Sequence, residues 1–187
     1  MGKLKLQMQT SIDNFIAGPN GEMDWMVWNW DEELKNYVSE LTKPIEKIIL
    51  GRKLAEGFIG AWASRVKDPE KTDEFAHKMN DTKKIVFSRS LNKIEGNNTT
   101  INNGDLVEEI NKLKNEVGEI IAYGGGEFVT SLIKNNLIDE YHLFVNPIAL
   151  GNGLTIFGGL NEKLNLELVK AKAFECGIVA LHYQPKT

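Results

Sequence analysis

A single cysteine, Cys176, in 187 residues leaves no partner for an internal disulfide, so the core alone must hold the fold, and a reducing compartment suits the chain. No apolar run approaches the roughly 18 residues that a bilayer-crossing helix needs. The amino-terminal "MGKLKLQMQTSID" lacks the apolar block of a signal peptide, so a cytoplasmic location is expected. Basic residues are scattered and, at 22 against 26 acidic, outnumbered. No basic stripe is present, which argues against nucleic acid, and nothing argues for a membrane partner. Neither an internal repeat nor a low-complexity segment nor a Pro/Gly-rich linker divides the chain. At 42% hydrophobic and 26% charged residues, it reads as one globular domain over residues 1–187.

What the chain does have is an alternation of strand-like and helix-like stretches. Residues 3–9 set Leu4, Leu6 and Met8 against polar neighbours, the period of a strand with one face on a core. Residues 31–41 carry acids first and Leu34, Tyr37, Val38 and Leu41 at helical spacing. A strand is predicted at 45–50 and another, with its exit, within 83–91; a short helix follows the former and another lies at 71–80. A short strand is predicted within "EGNNTTINNGD", then a helix over 105–115. "EIIAY" reads as a buried strand and "EFVTSLIKNN" as the helix after it. Beyond Asn136 lie three strand-like runs, the last two joined by a hairpin at Cys176-Gly177. Such alternation implies an α/β fold of three layers, αβα, around a mixed sheet that is mostly parallel with antiparallel C-terminal strands.

In an open α/β sheet, ligands bind beyond the carboxyl ends of the parallel strands. The predicted exits hold the loop 13–25, "GRK" (Gly51, Arg52, Lys53), "SRS" (Ser88, Arg89, Ser90) and "GGGE" (Gly124, Gly125, Gly126, Glu127). Arginine forms paired hydrogen bonds to phosphate oxygens, and serine hydroxyls add neutral ones. Three glycines between a strand and a helix serve either a tight turn or a phosphate lying on bare main-chain amides. They are not the dinucleotide-binding fingerprint, because Val129 stands where its third glycine belongs. Together the exits point to a ligand with several separated phosphates, such as a nicotinamide dinucleotide carrying a 2′-phosphate.

The blocks "SIDNFIAGPNGEMDW", "ILGRKLAEGF", "IVFSRSL" and "IIAYGGGEFVTSLIKNNLIDEYHLFVNPIALGNGLTIF", in that order, resemble the dihydrofolate reductase superfamily. The likeness covers nearly the whole chain and is to the bacterial branch related to the C-terminal reductase domain of riboflavin-biosynthesis deaminase–reductases. It implies a dihydrofolate reductase-like sheet, NADPH as hydride donor, a small heterocyclic substrate and a homodimer. The implied coenzyme contacts are Ala17, the "GRK" and "SRS" residues, Tyr123, the three glycines, Glu127 and Phe128. Folate enzymes place a basic residue after the glycines and an aromatic two positions later; here those positions hold Glu127 and Val129.

The resemblance places Asp13, in "SIDN", at the substrate pocket as a catalytic candidate, although a turn-capping aspartate reads equally well. Asp31, at a one-residue offset, matches the acid that folate enzymes use, and is equally read as the N-cap of its helix. Asn146, in "FVNPI", is expected on the pocket floor. Trp25, with Trp28 and Trp30 close by, is expected either to stack on a flat substrate or to pack in the core or a subunit interface. His77, His142, His182 and Cys176 show no metal-ligand spacing along the sequence, and no metal site is expected. Two functions stay open on these residues: an NADPH-dependent reductase, and a non-catalytic module that binds the nucleotide for sensing or scaffolding.

Overall fold

The protein was analysed as a computed structural model that describes residues 2–116 and 118–186. One eight-stranded sheet organises them, in the order β4-β3-β2-β5-β1-β6-β8-β7. Its strands are β1 Leu4–Thr10, β2 Ile45–Gly51, β3 Lys83–Phe87, β4 Thr99–Asn102, β5 Glu119–Tyr123, β6 Glu140–Val145, β7 Leu166–Ala173 and β8 Val179–Pro185. The helices are α1 Glu32–Thr42, α2 Arg52–Lys67, α3 Glu74–Asp81, α4 Leu106–Asn115 and α5 Gly126–Lys134. No helix among the described residues is long and apolar enough to cross a membrane.

The sheet is mixed, as expected, but the division falls later in the chain than the helix-poor tail suggests. The first tail run, β6, pairs parallel with β1, from Lys5–Glu140 to Thr10–Val145. Helix α5 is the crossover that returns the chain to the same sheet end, as a parallel connection requires. Only β8 runs against the rest, pairing antiparallel with both β6 and β7. The hairpin joining β7 to β8 closes with Phe174 N–H donating to Ile178 O and Gly177 at φ +91°. Helix α2 is also longer than the short helix expected. Gly57 and Gly60 interrupt its pattern, but a Cβ at either would meet open space, while Ala55 and Ile59 hold the helix on the sheet.

The two sheet faces differ. On one, Leu4, Leu6, Ile120, Tyr141 and Leu143 form a continuous core with Ile110 and Leu113 of α4 and Val129, Leu132 and Ile133 of α5. On the other the core is split. Helices α2 and α3 seal Ile48, Leu50, Val86 and Ile121, whereas α1 seals Phe144, Phe174, Ile178 and Ala180. Between them runs a polar stripe from β1 and its neighbours, including Lys5, Gln7, Gln9, Glu140 and His142. Thus β1 is central yet alternates, because one of its faces looks into the gap between α1 and α2.

At the amino-end of that stripe the polar groups gather around one carboxylate, while His142 Nδ1 and His182 Nε2 have no hydrogen-bond partner among the described residues. Glu140, 6% exposed, lies 2.6 Å from Lys3 Nζ, 3.2 Å from His142 Nε2, 3.7 Å from His182 Nε2 and 3.8 Å from Lys5 Nζ. The histidines face each other across β6 and β8 with ring centroids 4.2 Å apart. Sequence spacing could not bring them together; strand pairing does. Their ligating atoms and that of Glu140 fall within 4.8 Å of one another, but Lys3 and Lys5 already supply the cations around the carboxylate. The His142 hydrogen bond, with help from Lys3 and Lys5 against the penalty of burial, holds the Glu140 carboxyl at about 2. A folded pKa below the ordinary value near 4.5 gives stability that is present above that value and lost as pH falls toward 2. We therefore expect Glu140→Gln to unfold at lower urea than wild type at pH 7, by about 2 kcal/mol or more, with the difference shrinking toward pH 3. A constant difference across that range, measured by urea titration, would contradict the assignment.

Candidate functional site

The carboxyl ends of β4, β3, β2 and β5 lie side by side, so the segments after them share one edge of the sheet. They are Asn102–Asp105, Ser88–Arg89, Gly51–Lys53 and Gly124–Glu127, and all line one open cleft of about 2170 Å³. The cleft continues over β1, where Gln7 and Gln9 form its floor and α1 and α2 its walls. Pockets for one small molecule run to roughly 300–1,000 Å³, so this one has room for two ligands end to end.

Helix starts distinguish this edge from the rest of the molecule. Helices α1, α3 and α4 begin on Asp31, Asp73 and Asp105, whose carboxylates accept hydrogen bonds from first-turn N–H groups. Helices α2 and α5 begin on Gly51 and Gly125, and neither has a side-chain cap. Their first-turn N–H groups therefore face the cleft with the positive end of the helix dipole behind them. Arg52 and Arg89, both exposed, line the same cleft and have no carboxylate partner among the described residues. Lys53 does have one: its Nζ lies 3.1 Å from Glu127 Oε1, joining the two open helix starts through exposed side chains.

The three glycines have three different surroundings. A Cβ on Gly124 would lie 2.7 Å from the Phe128 ring, and one on Gly126 would lie 3.1 Å from the Thr155 carbonyl oxygen. Packing explains both. Gly51 is similar, with Phe128 2.7 Å from a built Cβ, so Phe128 acts as the wedge that brings β2 and β5 to the same height. A Cβ on Gly125 would meet nothing within 4 Å, and its φ of −73° and ψ of 171° suit any residue. Neither backbone nor packing requires glycine there.

The expected site residues are distributed as follows. Ala17, Gly51, Arg52, Lys53, Ser88, Arg89, Tyr123, the glycine triplet, Glu127 and Phe128 all line the cleft. Ser90 lies outside the lining; its N–H donates to Ser88 Oγ at 3.2 Å in the turn that shapes the exit. Trp25 is also outside, with its indole N–H donating to Glu22 O at 3.0 Å. Trp28 and Trp30 occupy the lining instead, stacked with centroids 6.4 Å apart. Across from them stand Phe58 and Trp62 of α2. Residues 102–105 were not among the expected site residues, although the short strand before them was expected; its "NNGD" exit was the available signal.

Asp13, Asp31 and Asn146 are absent from the lining and carry structural bonds. The Asp13 carboxylate accepts from Ser11 Oγ, Leu150 N and Gly151 N. The Ser11 hydroxyl above all, then the Gly151 amide, hold its pKa down at about 2. Asp31 caps α1 through Leu34 N at 2.8 Å and accepts from Cys176 N at 3.0 Å; these bonds, Leu34 first, lower its pKa. Asn146 is fully buried. Its Oδ1 accepts from Val27 N at 2.9 Å, and its Nδ2 donates to Gln9 Oε1 at 2.8 Å and to two strand carbonyls. It thereby anchors the Trp-bearing segment 25–30 to the sheet.

A protein-family model described as "RibD C-terminal domain" matches residues 2–180. An uncharacterized protein of Bacillus subtilis strain 168, YyaP, is 32% identical over 182 residues, covering 97% of this chain and 94% of its own. Among solved structures, a putative riboflavin biosynthesis protein from Shewanella sp. PV-4 superposes over 100% of both chains with TM-score 0.74 and 22% identity. A Thermotoga maritima diaminohydroxyphosphoribosylaminopyrimidine deaminase/5-amino-6-(5-phosphoribosylamino)uracil reductase matches over 99% of this chain and 57% of its own, with TM-score 0.70 and 16% identity. Dihydrofolate reductase from Enterococcus faecalis, complexed with NADP(H), reaches TM-score 0.62 at 17% identity over 99% and 97% of the two chains.

The bonding around Asn146 has a measurable consequence. Asn146→Leu keeps the branched shape of the side chain but strands the Val27 amide, so we expect a loss of about 2–3 kcal/mol and greater mobility of Trp28 and Trp30. Urea unfolding and tryptophan anisotropy measure both; an unchanged midpoint would contradict the anchoring role.

Proposed function

Because the chain belongs to the RibD C-terminal domain family, we propose that it is an NADPH-dependent reductase of a small heterocyclic compound. The observation that carries this reading is Gly125: an uncapped helix start, beside a second one and two unpaired guanidinium groups, at a position where nothing in the protein requires glycine. Bare amides at a helix start suit a phosphate, and the separation of the exits suits a ligand with phosphates at several points. The Enterococcus faecalis dihydrofolate reductase of the same fold is a complex with NADP(H), which supports that identity for the ligand.

When bound, such a coenzyme supplies a hydride. The chain's own residues then have three tasks. Arg52, Arg89 and the starts of α2 and α5 hold the phosphates. Trp28, Trp30, Phe58 and Trp62 offer flat apolar walls for a heteroaromatic ring and exclude water from the far half of the cleft. Residues 11–30, pinned by Asp13 and Asn146, close it at the top. Asp13 and Asp31 are ionised near neutrality and fully engaged, so we assign them to positioning these segments, and water to the delivery of the proton.

The glycine separates stability from binding. Gly125→Asp should behave like the Asp caps of the other helices and raise stability by about 0.5–1 kcal/mol. The same change should lower NADPH affinity at least tenfold, by placing a carboxylate where phosphate is expected. Thermal unfolding with and without NADPH reads both effects; wild type at 100 times Kd should gain about 2.7 kcal/mol. Reduced stability with unchanged affinity would mean that the fold, not a ligand, requires the glycine. Arg52→Ala and Arg89→Ala should each weaken NADPH about tenfold or more, as expected for charge-assisted bonds of about 1.5–3 kcal/mol. Oxidation of NADPH with 5-amino-6-(5-phosphoribosylamino)uracil or with dihydrofolate tests the reaction. Saturable binding without oxidation by any heterocycle would favour a sensing module.

A further inference from the structure

The cleft floor contains two amides whose orientation is set by the protein. Val27 N–H can only donate, so the Asn146 atom it meets is Oδ1. The other Asn146 atom is therefore the NH2 group, and it donates to Gln9 at 2.8 Å. Gln9 must present its oxygen to Asn146, which leaves its Nε2 as the group free to meet a ligand. Gln7 repeats the pattern two residues earlier on the same face of β1. Its Oε1 accepts from the Tyr123 hydroxyl at 2.7 Å, the hydroxyl's one acceptor among the described residues, and burial keeps that phenol protonated. Neither Nε2 has a hydrogen-bond partner among the described residues, and both side chains line the cleft. Gln7 is 9% exposed, so its amide has little else to bond.

We infer that Gln7 and Gln9 are specificity-determining residues: a donor-only floor that selects a heterocycle presenting carbonyl oxygens and rejects the same ring presenting amino groups. This rests on reading the cleft as a site for a coenzyme and a heterocycle. Successive residues on one strand face lie roughly 6.6 Å apart, so the two NH2 groups are spaced for separate acceptors on one flat molecule. An amino-substituted edge would set donor against donor; a turned Gln9 would set its NH2 against that of Asn146, and a turned Gln7 would leave the buried Tyr123 O–H without an acceptor among the described residues. A buried donor left unpaired is the strongest kind of discrimination that a binding site has.

A matched pair of probes tests this: lumazine, a pteridine with two ring carbonyls, and 2,4-diaminopteridine, the same ring with amino groups in their place. Equilibrium binding is measured by tryptophan quenching at a pH where both are neutral. Wild type should bind lumazine at least about tenfold tighter. Gln9→Leu should bring the ratio close to one. Gln9→Glu, which still accepts from Asn146 but turns an oxygen toward the cleft, should reverse it. A ratio that stays within about twofold of wild type in both variants would overturn the inference. So would wild-type protein that prefers the diamino compound or binds neither. NADPH binding to wild type decides the coenzyme reading separately, since the ratio needs no turnover.

Discussion

The structure depends on a gap. Helix α1 covers β6 and β8 on one side of the sheet, and α2 covers β2 and β5, but between them Gln7 and Gln9 of β1 line the cleft. That strand is also where the winding changes sense. The chain places β2 to β5 on one flank of β1 and β6 to β8 on the other, so the connections diverge above it and leave a crevice. An uncovered central strand must carry polar side chains on its open face and apolar ones on its sealed face. Lys5, Gln7 and Gln9 against Leu4, Leu6 and Met8 meet that demand.

The walls of the crevice are made by loops with little regular structure, and each is tied down at an interior point. Residues 11–17 are held by Asp13 on the amides of Leu150 and Gly151 and by the Ala17–Leu154 bridge. The segment with Trp28 and Trp30 hangs from Asn146. This explains why Asp13, Asp31 and Asn146 lie outside the cleft lining: their bonds hold the segments that form it. It also means that the aromatic half of the cleft is positioned by one buried amide, and that the same amide sets the direction of Gln9. Anchoring and the selectivity proposed for Gln9 are coupled through a single side chain.

Glu127 extends the pattern. Directly after the glycines this chain has an acid paired with Lys53 from the opposite helix start. The pair lies at the surface and contributes little to stability. Its effect is local: it neutralises one lysine at the cleft edge beside Arg52 and Arg89, which have no carboxylate partner among the described residues.

Much of the fold was legible in the sequence because it depends on period and punctuation. The alternation of residues 4–10, the acid-led helix at 32–42, and three glycines between an apolar strand and an amphipathic helix each state a local preference that the tertiary structure did not override. The sheet-exit rule then placed Arg52, Arg89 and Gly125 on one edge, since parallel strands bring their carboxyl ends together whatever the loops do. Tertiary structure alone decided the rest. Which tail strand runs parallel, that His142 meets His182, that Asn146 turns inward, and that Gln7 and Gln9 show only their donors are all matters of pairing between residues more than a hundred positions apart or across adjacent strands. Sequence spacing carries no record of such pairing, because a glutamine on the polar face of a strand reads the same whether it meets water, a neighbour or a ligand.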